Sequence, residues 1–272
     1  MNIKSPKWLK KITTQTQRRY LWNNIYKAIR PIIILYKVVR CFVLPNSRSI
    51  QGNIFINATY CDDGFVTTHY VDFLDEVRFS KSFEAALEYI PEDLSNSLKS
   101  IKWRAHICCW AASQAIHLKG DFIDCGVWYG LLPNTICEYT SFQNEKRSYY
   151  LIDSFGSMED SHPNYKEDIF KIVKKRFENY PNINIIRGLV PEALKQIQSQ
   201  KVAYLAIDMN SSEPERAALE YFYHKIVTGG IIYLDDYGWG YPELRKVVDK
   251  FLEDKPETLL NFPSGNSIIV KL

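Results

Sequence analysis

Gly120-Asp-Phe-Ile-Asp-Cys-Gly-Val-Trp-Tyr-Gly130 decides how the rest of the chain is read. Residues 121–125 form a short apolar strand, and Gly126 and Gly130 follow it closely. Two glycines at this point allow a tight strand-to-helix turn in which the backbone comes close to a ligand. The spacing is G-x-x-x-G led by an acid, not the G-x-G-x-x-G of a dinucleotide site, so it suits a ligand without a pyrophosphate. A helix is expected to begin over residues 132–139.

Outward from this turn, strand and helix patterns alternate. Strands are predicted at 149–153, 182–187, 202–207 and 231–234. Helices are predicted at 166–180, from 212 to about 227, and from Pro242 to about 254. Ser212-Glu213-Pro214-Glu215 has capping-box spacing, and Gly229-Gly230 is expected to stop the helix before the fifth strand. Two short strands near 258–261 and 267–271 read as a terminal hairpin. Apolar strands alternating with helices argue for an α/β fold with a parallel sheet covered on both faces. Upstream, Trp103, His106, Ile107, Trp110, Ala111 and Gln114 recur at helical spacing, and residues 49–80 look irregular around Asp62-Asp63-Gly64. The expected organisation is a basic helical arm (1–48), a cap or substrate region (49–100) and a catalytic domain (101–272).

The formal net charge of +3 hides an asymmetry. Residues 1–61 hold eleven Lys or Arg and no acid, so all 31 acidic residues follow them. A basic arm on an acidic body implies an anionic partner. Trp8, Tyr20, Trp22 and Tyr26 accompany its cations, and the apolar run 31–44 includes Lys37 and Arg40. That mixture suits peripheral contact with an anionic membrane rather than a span or nucleic acid. The rival expectation is a helix packed on the catalytic domain or on a second subunit in a homo-oligomer. The six cysteines form no C-x-x-C pair, and four sit in apolar runs, so free thiols in a reducing compartment are expected. With no signal peptide evident, a cytoplasmic location follows, peripheral at the inner face of the membrane if the arm binds it.

Ligands of open parallel sheets bind beyond the carboxyl ends of the strands. After the first strand stand Asp124, Gly126, Trp128 and Gly130. Asp153 and Ser154 follow the second strand, where an acid can accept hydrogen bonds from ribose hydroxyls. Gly188 follows the third, Asp208 the fourth, and Asp235 and Asp236 the fifth. Neighbouring strands lie about 4.8 Å apart, so the last three carboxylates should converge if strands four and five are adjacent. Such a cluster repels itself unless a cation or shared proton compensates, and hard oxygens suit Mg²⁺. Among the histidines, His106, His117 and His224 read as structural, while His162 lies in the loop beyond the second strand and is a candidate base.

The run 120–130, the Asp153-Ser-Phe155 step, Ile207–Glu220, Gly229–Tyr237 and the terminal Pro263–Lys271 together resemble the macrocin O-methyltransferase-like family. The resemblance runs from about Trp103 to the end. It implies a Rossmann-like seven-stranded methyltransferase sheet, parallel with a terminal antiparallel hairpin, that binds S-adenosylmethionine. It also implies methylation of sugar hydroxyls assisted by Mg²⁺. The family's metal-binding aspartates fall on Asp208, Asp235 and Asp236, its acidic glycine turn on Asp124, Gly126 and Gly130, and its ribose-binding acid on Asp153. Asn210 stands where the family often has a second acid after strand four, and Tyr129 and Leu131 depart from the usual turn.

The expectation is therefore an S-adenosylmethionine-dependent O-methyltransferase acting on a hydroxyl, of a sugar in a glycan or glycosylated natural product. Mg²⁺ on Asp208, Asp235 and Asp236 would orient the acceptor oxygen, and His162 would take its proton. Two alternatives stand beside it: a membrane-associated glycan-binding or scaffold protein with a degenerate fold, and a metal-dependent glycosyltransferase.

Overall fold

The computed structural model describes residues 58–156 and 169–272. The arm 1–48 and the membrane contact expected of it, His162, Cys41 and the start of the helix expected from 166 lie outside the described residues. Among the described residues, two short strands come first, β1 (Tyr60–Asp62) and β2 (Phe65–Thr67). Helices α1 (Val77–Leu87), α2 (Glu92–Leu98) and α3 (Lys102–Ala115) follow. The sheet strands are β3 (Asp121–Cys125), β4 (Tyr149–Asp153), β5 (Ile183–Arg187), β6 (Val202–Ile207), β7 (Ile226–Leu234), β8 (Leu259–Asn261) and β9 (Ser267–Val270). Between them lie α4 (Leu131–Thr140), α5 (Ile169–Arg176), α6 (Ser212–Phe222) and α7 (Pro242–Leu252).

The seven strands are ordered β5-β4-β3-β6-β7-β9-β8, with β3 to β7 parallel and β9 antiparallel to β7 and β8. This is the expected Rossmann-like α/β sheet with its terminal hairpin. Every residue of β6 is buried, as a central strand covered on both faces requires. Side chains alternate between two cores. Phe122, Tyr149, Tyr204 and Tyr233 join one core with Phe79, Cys108 and Ile136 from α1, α3 and α4. Ile123, Leu205 and Ile232 join the other with Leu219, Phe222 and Val248 from α6 and α7. Cys108, Cys109, Cys125 and Cys137 are buried free thiols within this packing. His106 is packed against the rings of Phe73 and Phe79, which fits a structural role.

Register places the site. Cys125 pairs with Ile152 on one side and Ile207 on the other, and Ile207 pairs with Leu234. The ladder runs one residue further: the Gly126 amide donates to Ile152, Asp208 to Cys125 and Asp235 to Ile207, at 2.8, 2.8 and 3.0 Å. Gly126, Asp208 and Asp235 therefore stand in one row at the carboxyl edge.

Three local expectations change. The fifth strand begins at Ile226, so Gly229 and Gly230 lie inside it and do not stop a helix, which ends at Phe222. Glycine is needed there for close approach, since a Cβ on Gly230 would sit 2.8 Å from the Val227 carbonyl oxygen. The capping residue of α6 is Ser211, without a side-chain cap bond, so the 212–215 segment is not a capping box. Within the stretch 49–80, the described residues 58–80 are also less irregular than expected, because β1, β2 and the first turn of α1 fall within them. Among the described residues, no helix is long and apolar enough to cross a membrane.

Candidate active site

The cofactor end is held together by its own hydrogen bonds. Asp153 Oδ2 accepts the amides of Val127 and Trp128, both at 2.7 Å, and Oδ1 accepts the Phe155 amide at 2.7 Å. The acid that ends β4 thus clamps the glycine turn after β3. Ser154 Oγ donates to the same Oδ1 at 3.4 Å, and the Gly188 amide donates to the Asp153 carbonyl at 2.9 Å. Trp128 has φ 49°, a left-handed conformation the clamp helps to hold. Gly126 has φ +93°, and a Cβ there would meet the Asp208 carbonyl oxygen at 1.7 Å. Its glycine is forced by the neighbouring strand as well as by the turn. Gly130 caps α4.

Asp124 lies beneath this turn. It is buried, with Oδ2 accepting the Tyr149 hydroxyl at 3.2 Å and Oδ1 without a partner. Burial pushes its carboxyl up to about 8, against the lowering hydrogen bond from Tyr149.

One strand away the chemistry is opposite. Asp208, Asp235 and Asp236 bring carboxylate oxygens within 4.8 Å of one another. Burial and the charges of Asp235 and Asp236 push Asp208 well above the usual carboxylate range. Burial and Asp235 push Asp236 up to about 7. Asp236 Oδ2 is buried without a partner, and so is Oε1 of Glu215, whose carboxyl is pushed up to about 8 by burial and then by Asp236. Asn210, in a left-handed conformation, reaches back to Asp208 Oδ1 at 3.3 Å. A set of hard, crowded and partly orphaned oxygens fits a divalent cation.

The sequence reading missed two members of this site. Glu215, at capping-box spacing in the sequence, is instead buried, with the charges of Asp236 and Asp235 acting on it. Arg104 was passed over between the apolar positions of α3. Its Nη1 donates to Asp235 Oδ2 at 2.5 Å. Its Nε and Nη2 donate to the two oxygens of Asp63 at 2.7 and 2.6 Å. The guanidinium lies 4.7 Å from the Trp239 ring centroid. Burial disfavours its charge, but the Asp63 hydrogen bonds and the Asp235 charge raise its pKa above the ordinary value. Helical spacing that puts Trp103 and Ile107 inward gives no sign of this contact. The partner Asp235 is 131 positions away.

The family model for macrocin O-methyltransferase (TylF) matches residues 107–258, which carry both the turn and the acidic cluster. The chain belongs to the macrocin O-methyltransferase family. It is accordingly a methyltransferase, and the scaffold and glycosyltransferase readings lose their support. No curated protein sequence matches the chain. Among solved structures, the O-methyltransferase NovP is 21% identical with a TM-score of 0.51, the match covering 62% of this chain and 79% of NovP. CalS11, a TDP-rhamnose 3'-O-methyltransferase of calicheamicin biosynthesis, is 16% identical with a TM-score of 0.50, covering 72% and 94%. SAH-bound PaMTH1, a methyltransferase of Podospora anserina, is 14% identical with a TM-score of 0.51, covering 72% and 88%. At these identities the likeness is one of fold.

Proposed function

We propose that this member of the family transfers the methyl group of S-adenosylmethionine to a sugar hydroxyl, with Mg²⁺ held by Asp208, Asp235 and Asp236. The observation that carries this reading is the shared row at the sheet edge. The Asp208 amide bonds the Cys125 carbonyl, so the acidic cluster begins one strand from the glycine turn. A methyl donor on the turn and an acceptor at the acids would be neighbours, as in-line transfer requires.

Asp124, Gly126, Trp128, Gly130, Asp153, Ser154 and Gly188 form the donor's cradle in this reading. Asp153 already spends most of its acceptor capacity on the turn. A ribose hydroxyl would take the place that the Ser154 hydroxyl holds loosely at 3.4 Å. Bound Mg²⁺ would lower the pKa of the acceptor hydroxyl and fix its direction. Asp208 and Asp236 would hold that ion with oxygens that are otherwise crowded. His162, which follows β4 in the sequence, would take the proton. The TDP-rhamnose named for CalS11 makes nucleotide-linked deoxysugars the first acceptors to try. The basic arm would hold the enzyme against anionic membrane from its cytoplasmic side. Sedimentation of the full chain with anionic vesicles, but not of a chain starting at residue 49, tests that part.

The reading as a whole is tested by following labelled methyl from S-adenosylmethionine onto a panel of nucleotide sugars that includes TDP-rhamnose. Transfer that needs Mg²⁺ and stops with chelator is expected. Undiminished transfer in excess chelator would remove the ion from the mechanism.

A further inference from the structure

The geometry points to Arg104 as a built-in cation of the acidic centre, one that shares Asp235 with a divalent ion and sets how tightly that ion is held. This rests on the divalent-ion reading of the cluster given above. Nη1 of Arg104 lies 2.5 Å from Asp235 Oδ2, while Asp235 Oδ1 accepts the Tyr233 hydroxyl at 2.6 Å. An ion arriving at Asp235 therefore meets a carboxylate with both oxygens engaged and a positive charge alongside. Among the described residues, no ion pair reaches Asp208 or Asp236.

Arg104 is held from the other side by Asp63, in the turn after β1. The side chains of Arg104, Asp63 and Asp235 are only 12%, 2% and 6% exposed, so water screens them weakly. Two cations on one carboxylate repel, so the ion and Arg104 loosen each other's hold on Asp235. Asp63 draws the arginine away from the cluster and keeps room for the ion. The effect is reciprocal: an ion at Asp235 pushes Arg104 toward Asp63 and tightens the Asp63–Gly64 turn beside Trp239. Arg104 is thus a positioning residue, acting through Asp235.

Mn²⁺ titrated into the full chain, with free ion read by electron paramagnetic resonance, tests this without an acceptor or turnover. Arg104→Met combined with Asp63→Asn removes the cation without stranding the buried Asp63 charge. This double variant should bind Mn²⁺ about tenfold tighter than wild type or better, since a like charge a few ångströms away is removed. Asp63→Asn alone, which releases Arg104 onto the cluster, should bind several-fold weaker. Arg104→Lys keeps the charge and should stay near wild type. Thermal melts identify the folded variants, and the double variant alone decides if Asp63→Asn unfolds. Equal affinities across the series would overturn this inference and leave the metal reading standing. No Mn²⁺ binding by any of these proteins would overturn both.

Discussion

The two halves of the sheet edge are built on opposite terms. Around Gly126 and Asp153 the structure satisfies itself: the Asp153 carboxylate is spent on three amides at 2.7 Å. Around Asp208, Asp235 and Asp236 it crowds carboxylate oxygens within 4.8 Å of one another and leaves Asp236 Oδ2 buried without a partner. A self-satisfied region keeps its shape in the absence of a ligand and so offers a preformed cradle. A region that repels itself gains most when something positive or a proton arrives. The difference separates a surface that recognises a ligand's shape from one that waits for charge.

The largest expected effect comes where the halves touch. Gly126→Val places a Cβ on the Asp208 carbonyl, so both regions should fail together. Unfolding free energy should drop by about 3 kcal/mol or more, with strain and a broken turn as the cause. A variant with unchanged stability that merely loses S-adenosylmethionine would show the halves to be independent at that point.

Next come substitutions confined to one half. Asp208→Asn should cut methyl transfer by about three orders of magnitude, the scale of losing one strong electrostatic contact to the reacting centre. It should leave S-adenosylmethionine affinity within a few-fold in calorimetry. Asp153→Ala should do the reverse. It strands three amide donors, which costs about 3 kcal/mol, and should weaken S-adenosylmethionine while sparing Mn²⁺ affinity. Parallel losses of both ligands in either variant would erase the distinction.

The smallest effect concerns Asp124, held up to about 8 mainly by burial. Its folded pKa lies above its unfolded value near 4. The native state therefore keeps a proton that the unfolded chain has released, and stability falls as pH rises from about 4 to 8. Asp124→Asn should flatten that fall by about 1–3 kcal/mol in urea titrations of the metal-free protein. An unaltered pH profile would show that Asp124 is ionised in the native state.

The strand ends were the legible part. Residues 121–125, 149–153 and 202–207 are largely apolar runs that end in, or are followed by, an acid or glycine, and the structure ends the strands where those runs end. The row of Gly126, Asp208 and Asp235 follows from that pattern plus strand adjacency. Local signals were misread where tertiary contacts override them. Gly229-Gly230 looks like a helix stop but lies within a strand that accommodates the close approach of neighbouring backbone. Glu215 has the spacing of a cap but is buried beside the acidic cluster. Arg104 and Asp63 are joined only by folding, 41 positions apart, and no periodicity encodes such a pair.

The central claim is that the glycine turn and its Asp153 clamp hold S-adenosylmethionine. Calorimetric titration of the full chain with S-adenosylmethionine and with its demethylated product tests it most directly. The account predicts one site per chain with a Kd of about 1–100 μM, or roughly −8 to −5 kcal/mol. It also predicts that binding persists in excess chelator, because the hydrogen bonds of the Asp153 clamp involve none of the three cluster carboxylates. Absence of heat with both ligands would contradict it.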